Sequence, residues 1–231
     1  MEMIDAVRAR HAVRNYQNKA IEPEKAEALQ RAVEEYNAQF GLSIQLCLDD
    51  PQAFSNFLAR YGNFKNVSNY FALVGPSSEG ASLEKCGYCG QKLVLLAQTL
   101  GLNTCWVGLS YDKKKNAVKV KQGEKLHLVI ALGYGETQGK ASGSKPMSKL
   151  CRNANNEEFP AWFVAAMQAS LLAPTALNHQ KFLITLHKKR VEAQSLPGSY
   201  SRVDLGIVKC CFEIGAAAAG AQQGTDWDWV S

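Results

Sequence analysis

The sequence predicts an α+β fold in which two half-repeats are fused in one chain, their sheet or sheets packed around central buried helices as a pseudo-dimer. Three observations predict it. Segments 84–100 and 204–219 are apolar nearly all round, which marks buried rather than surface helices. Segments 42–48, 70–74, 126–132 and 182–186 are short, apolar or alternating, as strands are. The order helix, strand, loop, buried helix then occurs twice, and laying Gly90 on Gly206 puts a glycine near the start of each buried helix.

The elements follow in order. Residues 3–14 carry apolar positions at Ile4, Val7 and His11 or Ala12, predicting a short amphipathic helix that ends in arginines. Pro23, followed by Glu24, Glu27, Leu29, Val33 and Tyr36, opens a second helix with proline in its first turn and acids near its N-terminus. Leu42, Ile44, Leu46 and Leu48 alternate with polar neighbours as a half-buried strand closed by Asp49-Asp50-Pro51. A helix over 51–60 and a strand over Tyr70–Val74 come next, the strand stopped by Gly75-Pro76. The first buried helix runs to Leu100 with Gly101 as its C-cap. Cys105–Val107 and Leu126–Leu132 are extended, and 135–149 has no apolar period. A helix over 158–172, a strand over 182–186, a loop and the second buried helix complete the chain. The expected organisation is one unit over 1–231, with repeats over about 1–135 and 158–231 and a linker with a basic loop over 136–157.

Composition bounds the function. With 231 residues, 46% hydrophobic and 20% charged, the chain can bury a core without disulfides or metal, and disorder is excluded. No apolar run reaches the ~18–20 residues of a membrane span, and no apolar stretch follows the N-terminal arginines as a secretory signal requires. The seven cysteines, an odd number, fit a reducing compartment, so a cytoplasmic location is expected. Cys86 and Cys89 have C-x-x-C spacing, which reads as a redox or zinc half-site. They follow a Gly/Ser-rich loop, though, and the adjacent Cys210-Cys211 suits a second zinc pair poorly; two small buried residues in a helix is the plainer reading. The net charge of +5 is concentrated at Lys113, Lys114, Lys115, Lys119, Lys121 and Lys125. That run has no aromatic residue to stack a base, so it reads as a solvated face and no nucleic-acid partner is expected.

Four further segments stand on these elements: Arg10-His11-Ala12-Val13-Arg14-Asn15-Tyr16, Gly101-Leu102-Asn103-Thr104-Cys105-Trp106-Val107-Gly108, Leu132-Gly133-Tyr134-Gly135 followed by Ser144-Lys145-Pro146, and Ala173-Pro174-Thr175-Ala176-Leu177-Asn178-His179-Gln180. Together they resemble the FMN-dependent nitroreductase family, and within it the single-chain, internally duplicated branch. The first is similar to the family's R-[RH]-S-x-[RK]-x-[FY] and the last to its A-P-S-x-x-N-x-Q.

The resemblance implies a nitroreductase-like fold and an FMN site. Arg10 and Arg14 would meet the phosphate, where guanidinium groups can bind bidentately, with His11 between them in the same cofactor-binding segment, although as a histidine it also reads as packed or on the surface. Lys145 would be the second clamp. Val107 and Gly108 would lie at the turn whose backbone N–H faces flavin N5, with glycine permitting close approach. Pro174, Thr175, Asn178 and Gln180 would supply a restricted backbone, a hydroxyl and amides for ribityl or pyrimidine atoms. Asn63, in the loop Arg60–Asn66, would touch the pyrimidine edge. Taken singly, these residues also read as solvated arginines, a loop lysine, a strand-to-turn glycine and a helix C-terminal turn. No catalytic acid or base and no metal ligand is assigned.

In family homodimers one subunit brings the arginine motif and the other the A-P-S-x-x-N motif. Here Arg10, Arg14, Gly108 and Lys145 lie in the first part and the A-P-T-x-x-N segment in the second, so one complete site is expected between the halves and a monomer is self-sufficient. Ala12 stands where the family has a phosphate-binding Ser, and Ser142-Gly143 where relatives often carry His-Lys. Each lost charge-assisted contact costs about 1–3 kcal/mol, or roughly tenfold to a hundredfold in affinity. The expected function is NAD(P)H-driven, FMN-dependent two-electron reduction of nitroaromatic or quinone-like acceptors. Two alternatives remain open: a degenerate member that binds flavin or a related ligand without turnover, and a non-flavin thiol protein using Cys86 and Cys89.

Overall fold

A computed structural model describes residues 1–77 and 80–230. Ser78 and Glu79, in the Gly/Ser-rich loop read after residue 75, lie outside the described residues, as does Ser231. Six helices and two four-stranded sheets are formed by the described residues. The helices are α1 (Met3–Ala9), α2 (Pro23–Phe40), α3 (Phe57–Tyr61), α4 (Ala81–Thr99), α5 (Ala161–Ser170) and α6 (Ser201–Ala218). The first sheet has the order β1 (Gln45–Cys47), β2 (Asn69–Pro76), β4 (Glu124–Gly133), β3 (Asn103–Val107), antiparallel throughout. The second has the order β5 (Cys151–Asn153), β6 (Phe182–His187), β7 (Arg190–Ser195), β8 (Asp228–Trp229); only β6 and β7 pair antiparallel.

The two predicted buried helices, α4 and α6, pack on each other and make the most extensive helix contact in the molecule. A Cβ on Gly87 would meet the Val203 carbonyl oxygen at 2.0 Å, and one on Gly206 the Glu84 carbonyl oxygen at 1.9 Å. Only glycine allows two helix backbones this close. The partner of Gly206 is therefore Gly87. Gly90 instead faces the first sheet, against Trp106, Leu73 and Ile130. Side chains from α4, α6 and both sheets, among them Leu73, Ile130, Leu93, Val208, Ile184 and Phe182, form one continuous core. The other face of the first sheet is covered by Val13, Tyr16, Phe54 and Phe64, which pack with Tyr70, Ala72 and Val129.

Several predicted boundaries move, each for a tertiary reason. α1 stops at Ala9, and Ala12 pairs with Thr104 on the open edge of β3, Val13 N–H donating to Thr104 O at 3.0 Å. Arg14 thus lies on extended chain, outside the helix. The helix over 51–60 is a 3-10 turn, Pro51–Phe54, and then α3. The alternation over 42–48 holds through Leu42 and Ile44, but Cys47 turns inward and Leu48 is exposed. β5 falls inside the segment read as a linker, and β7 and β8 lie where no strand is predicted.

Candidate functional site

The site is built along the open edge of β3. Residues 10–14 run beside that strand, and segment 64–66 runs beside 14–16: Lys65 N–H donates to Arg14 O and Tyr16 N–H to Lys65 O. Phe64 lies under the Arg14 guanidinium, 5.8 Å from ring centroid to Cζ. Asn63 precedes it in a left-handed turn with φ 59° and is exposed. Gly108 follows the last residue of β3, Val107, which is buried against Val129 of β4.

A second group closes on the first. Arg10 donates to Leu172 O at 3.3 Å, and Ser144 Oγ donates to Leu171 O at 2.7 Å, so the arginine and the basic loop meet at the turn after α5. Lys145 Nζ donates to the carbonyls of His179 (2.6 Å) and Gln180 (3.3 Å), and its N–H donates to Gln180 Oε1. Asn178 donates to Gly143 O at 2.7 Å, and Thr175 Oγ accepts the Gln180 N–H. His11 packs on Gly139: a Cβ there would meet the His11 Cβ at 2.8 Å. Arg10, Lys145, Thr175, Asn178 and Gln180 therefore converge. Arg14, Asn63, Val107 and Gly108 form a second cluster on the same strand edge, and Pro174 leads into the loop between the two.

That loop is strained. Leu177, Asn178 and Gln180 all have positive φ (50°, 56° and 48°), and for a bulky residue such as Leu177 the left-handed region is costly. Such strain persists only where surrounding contacts over-determine it, and it gathers at functional sites. Asp204 supplies one such contact, its carboxylate accepting the Ala176 N–H at 3.0 and 3.1 Å. Burial raises the Asp204 carboxyl to about 7, offset in part by that hydrogen bond. Asp204 N–H in turn bonds Tyr200 O, and the Tyr200 phenol covers Gly108, where a Cβ would meet it at 2.6 Å. Tyr200, Asp204 and the buried Tyr111, whose hydroxyl has no partner among the described residues, border the candidate site and are missed by motif reading. Asp204 had one visible signal, a carboxylate opening an otherwise apolar helix; the tyrosines had none.

The charges are uncompensated. Among the described residues Arg10, Arg14 and Lys145 have no carboxylate within ion-pair distance. Arg10 Nε is buried without a partner, and burial pulls the guanidinium pKa down. A buried cation without a counter-charge is costly unless an anion completes it. An FMN phosphate has that chemistry, so these residues fit the cofactor that the sequence resemblance implies. The thiols fit their alternative poorly. Cys86 and Cys89 are buried in α4, Cys86 beside Gly75 of β2, and burial pushes each up to about 12, far from a reactive thiolate. No group of residues that could hold a metal ion occurs among the described residues.

The family described as “Putative TM nitroreductase” matches residues 2–216. A “putative nitroreductase” of known structure from Thermotoga maritima is similar at 20% identity and TM-score 0.68, over 95% of this chain and 85% of its own. A “Putative NADH dehydrogenase/NAD(P)H nitroreductase” from Bacteroides thetaiotaomicron aligns at 20% identity and TM-score 0.50, over 64% of this chain and 95% of its own. A “putative nitroreductase in complex with FMN” from Exiguobacterium sibiricum aligns at 16% identity and TM-score 0.50, with the same two coverages. No curated protein matches the chain.

Proposed function

The chain belongs to the TM-type nitroreductase family, and from that premise we propose that it is an FMN-dependent oxidoreductase using NAD(P)H to reduce nitroaromatic or quinone-like acceptors. Bound FMN would supply the two-electron hydride chemistry, which needs no protein acid or base. The protein's part is to bind and orient. Arg10 and Arg14, with Lys145 from the basic loop, would hold the phosphate by charge-assisted hydrogen bonds. The turn at Val107-Gly108 would lie against the ring, and the loop from Pro174 to Gln180 would flank it with Thr175 and Asn178. Asn63 would stand at the pyrimidine edge and His11 beside the phosphate cluster.

The observation that carries this reading is the unpaired, partly buried Arg10 on the same strand edge as Arg14, with Lys145 also lacking a carboxylate. Contributions from both parts of the sequence support one site per chain, with repeats over about 1–135 and 158–231 acting as the two subunits of a pseudo-dimer. A cytoplasmic, monomeric protein acting on small molecules follows from that reading.

A second reading rests on the departures. Ala12 offers no hydroxyl, and the carbonyl of Gly143 takes the Asn178 amide that a ribityl chain would use. Such a protein would hold flavin without turning it over. Titration of the purified protein with FMN separates the two. The flavoenzyme reading expects yellow protein that bleaches on NADH or NADPH, and Arg10→Met lowers flavin affinity roughly tenfold or more. Flavin that binds but is bleached by neither nucleotide supports the second reading; no uptake contradicts both.

A further inference from the structure

We infer that helix α3 and the two turns beside it form a cationic, aromatic-lined lip that selects planar acceptors carrying a negative charge. This rests on the flavin reading above and specifies the substrate class of that site.

Apart from the terminal Met1, the most exposed large apolar residues among those described are Leu177 (87%), Tyr61 (80%), Phe57 (74%) and Leu109 (64%). Single exposed apolar residues are ordinary, but these four are not scattered. Phe57 and Tyr61 are four apart on α3 and share one face. The end of α3 meets the turn after β3, where a Cβ on Gly62 would lie 2.7 Å from the Ser110 Cβ. Leu109 sits in that turn, between Gly108 and Ser110. Gly108 touches Tyr200, and α6 reaches the loop of Leu177 through Asp204 and the Ala176 N–H. The exposed apolar residues thus stand on segments joined by a chain of contacts, Gly62 to Ser110, Gly108 to Tyr200 and Asp204 to Ala176, that runs past the proposed ring position. Aromatic faces in such a place suit a flat conjugated molecule, which stacks on them at low entropic cost.

The charge around this lip is predominantly positive. Arg60 on α3 is exposed, and neither it nor Lys65 has a carboxylate within ion-pair distance among the described residues. The nearby Asp112 is an ionised carboxylate held by the backbone N–H groups of two lysines, Lys114 and Lys115, and Asp204 is buried. A cleft lined by one sign of charge raises the local concentration of the opposite one. An aromatic carboxylate satisfies both features; an uncharged aromatic satisfies one.

The probes are 4-nitrobenzoate and its uncharged analogue 4-nitrobenzamide, titrated calorimetrically into FMN-loaded protein and then compared as acceptors by kcat/KM. The expected result is a roughly tenfold preference for the carboxylate at low salt, lost at about 0.5 M salt and in Arg60→Gln. Tyr61→Ala weakens both probes severalfold, while Val120→Ala, an exposed apolar residue outside the lip, leaves FMN uptake and the binding of both probes unchanged as the control. Equal binding of the two probes, or a Tyr61→Ala variant that binds both normally, overturns the inference. So does a wild-type dimer that Tyr61→Ala converts to monomer, because the lip then belongs to a second copy of the chain. A protein that takes up no FMN contradicts the flavin reading and this one with it; one that takes up FMN and shows no preference contradicts this one alone.

Discussion

Asp204 shows how a single residue joins the parts of the site. It lies in the first turn of α6, where the helix dipole favours a carboxylate, yet burial dominates and raises it to about 7. The ordinary value is 3.8, so between that and about 7 the folded chain holds a proton that the unfolded chain has released. The associated stability is present below the ordinary value and is lost as pH rises through 7, at about 1.4 kcal/mol per pH unit within the window. Asn can accept the same Ala176 N–H without ionising. Urea unfolding at pH 5 and pH 8 should therefore show Asp204→Asn gaining stability relative to wild type as pH rises; parallel pH profiles would contradict the assignment. Arg10 is the complementary case, a cation in place before its anion. Its proposed role comes from the resemblance that the Arg10–Tyr16 segment carries, whereas Asp204 was hidden because its partner, Ala176, lies 28 residues away in a different motif.

At the scale of elements, the crossing of α4 and α6 fixes the molecule. Gly206→Ala would set a Cβ against the Glu84 carbonyl and the Tyr88 nitrogen, both backbone atoms that cannot swing aside. The loss should exceed the about 1–3 kcal/mol of ordinary overpacking. Gly143→Ala, with nothing within 4 Å, should stay within about 0.5 kcal/mol of wild type. Denaturant midpoints for the two variants check this. These helices were legible because an apolar surface on every side of a helical period admits only burial. The crossing glycine was not, since Gly87 and Gly90 sit three apart on one helix and only the packing partner distinguishes them. β5, β7 and β8 were illegible for other reasons. β5 and β8 are three and two residues long, too short for a period, and in β7 only Val191 is fully buried among polar neighbours. β5 and β7 pair with β6, and β8 pairs with β7 while Trp229 joins Trp162 and Trp227 in a tryptophan cluster, so these strands depend on their neighbours more than on their own sequence.

For the whole molecule, the two four-stranded sheets and the helix pair between them realise the predicted α+β architecture. The proposed site draws on β3 and the arginine segment from one side of the chain and on the 174–180 loop from the other. That division was legible because each motif is short, local and present once. The geometry joining them was not, because it depends on Tyr200 lying over Gly108 and on Ser144 and Arg10 meeting at the turn after α5. The central claim is that one chain completes one flavin site. Sedimentation velocity of the FMN-titrated protein, followed at a flavin wavelength, reads stoichiometry and mass together. The account predicts one FMN sedimenting with the mass of a single chain. Flavin travelling only with a two-chain species, or remaining unbound at the meniscus, would contradict it.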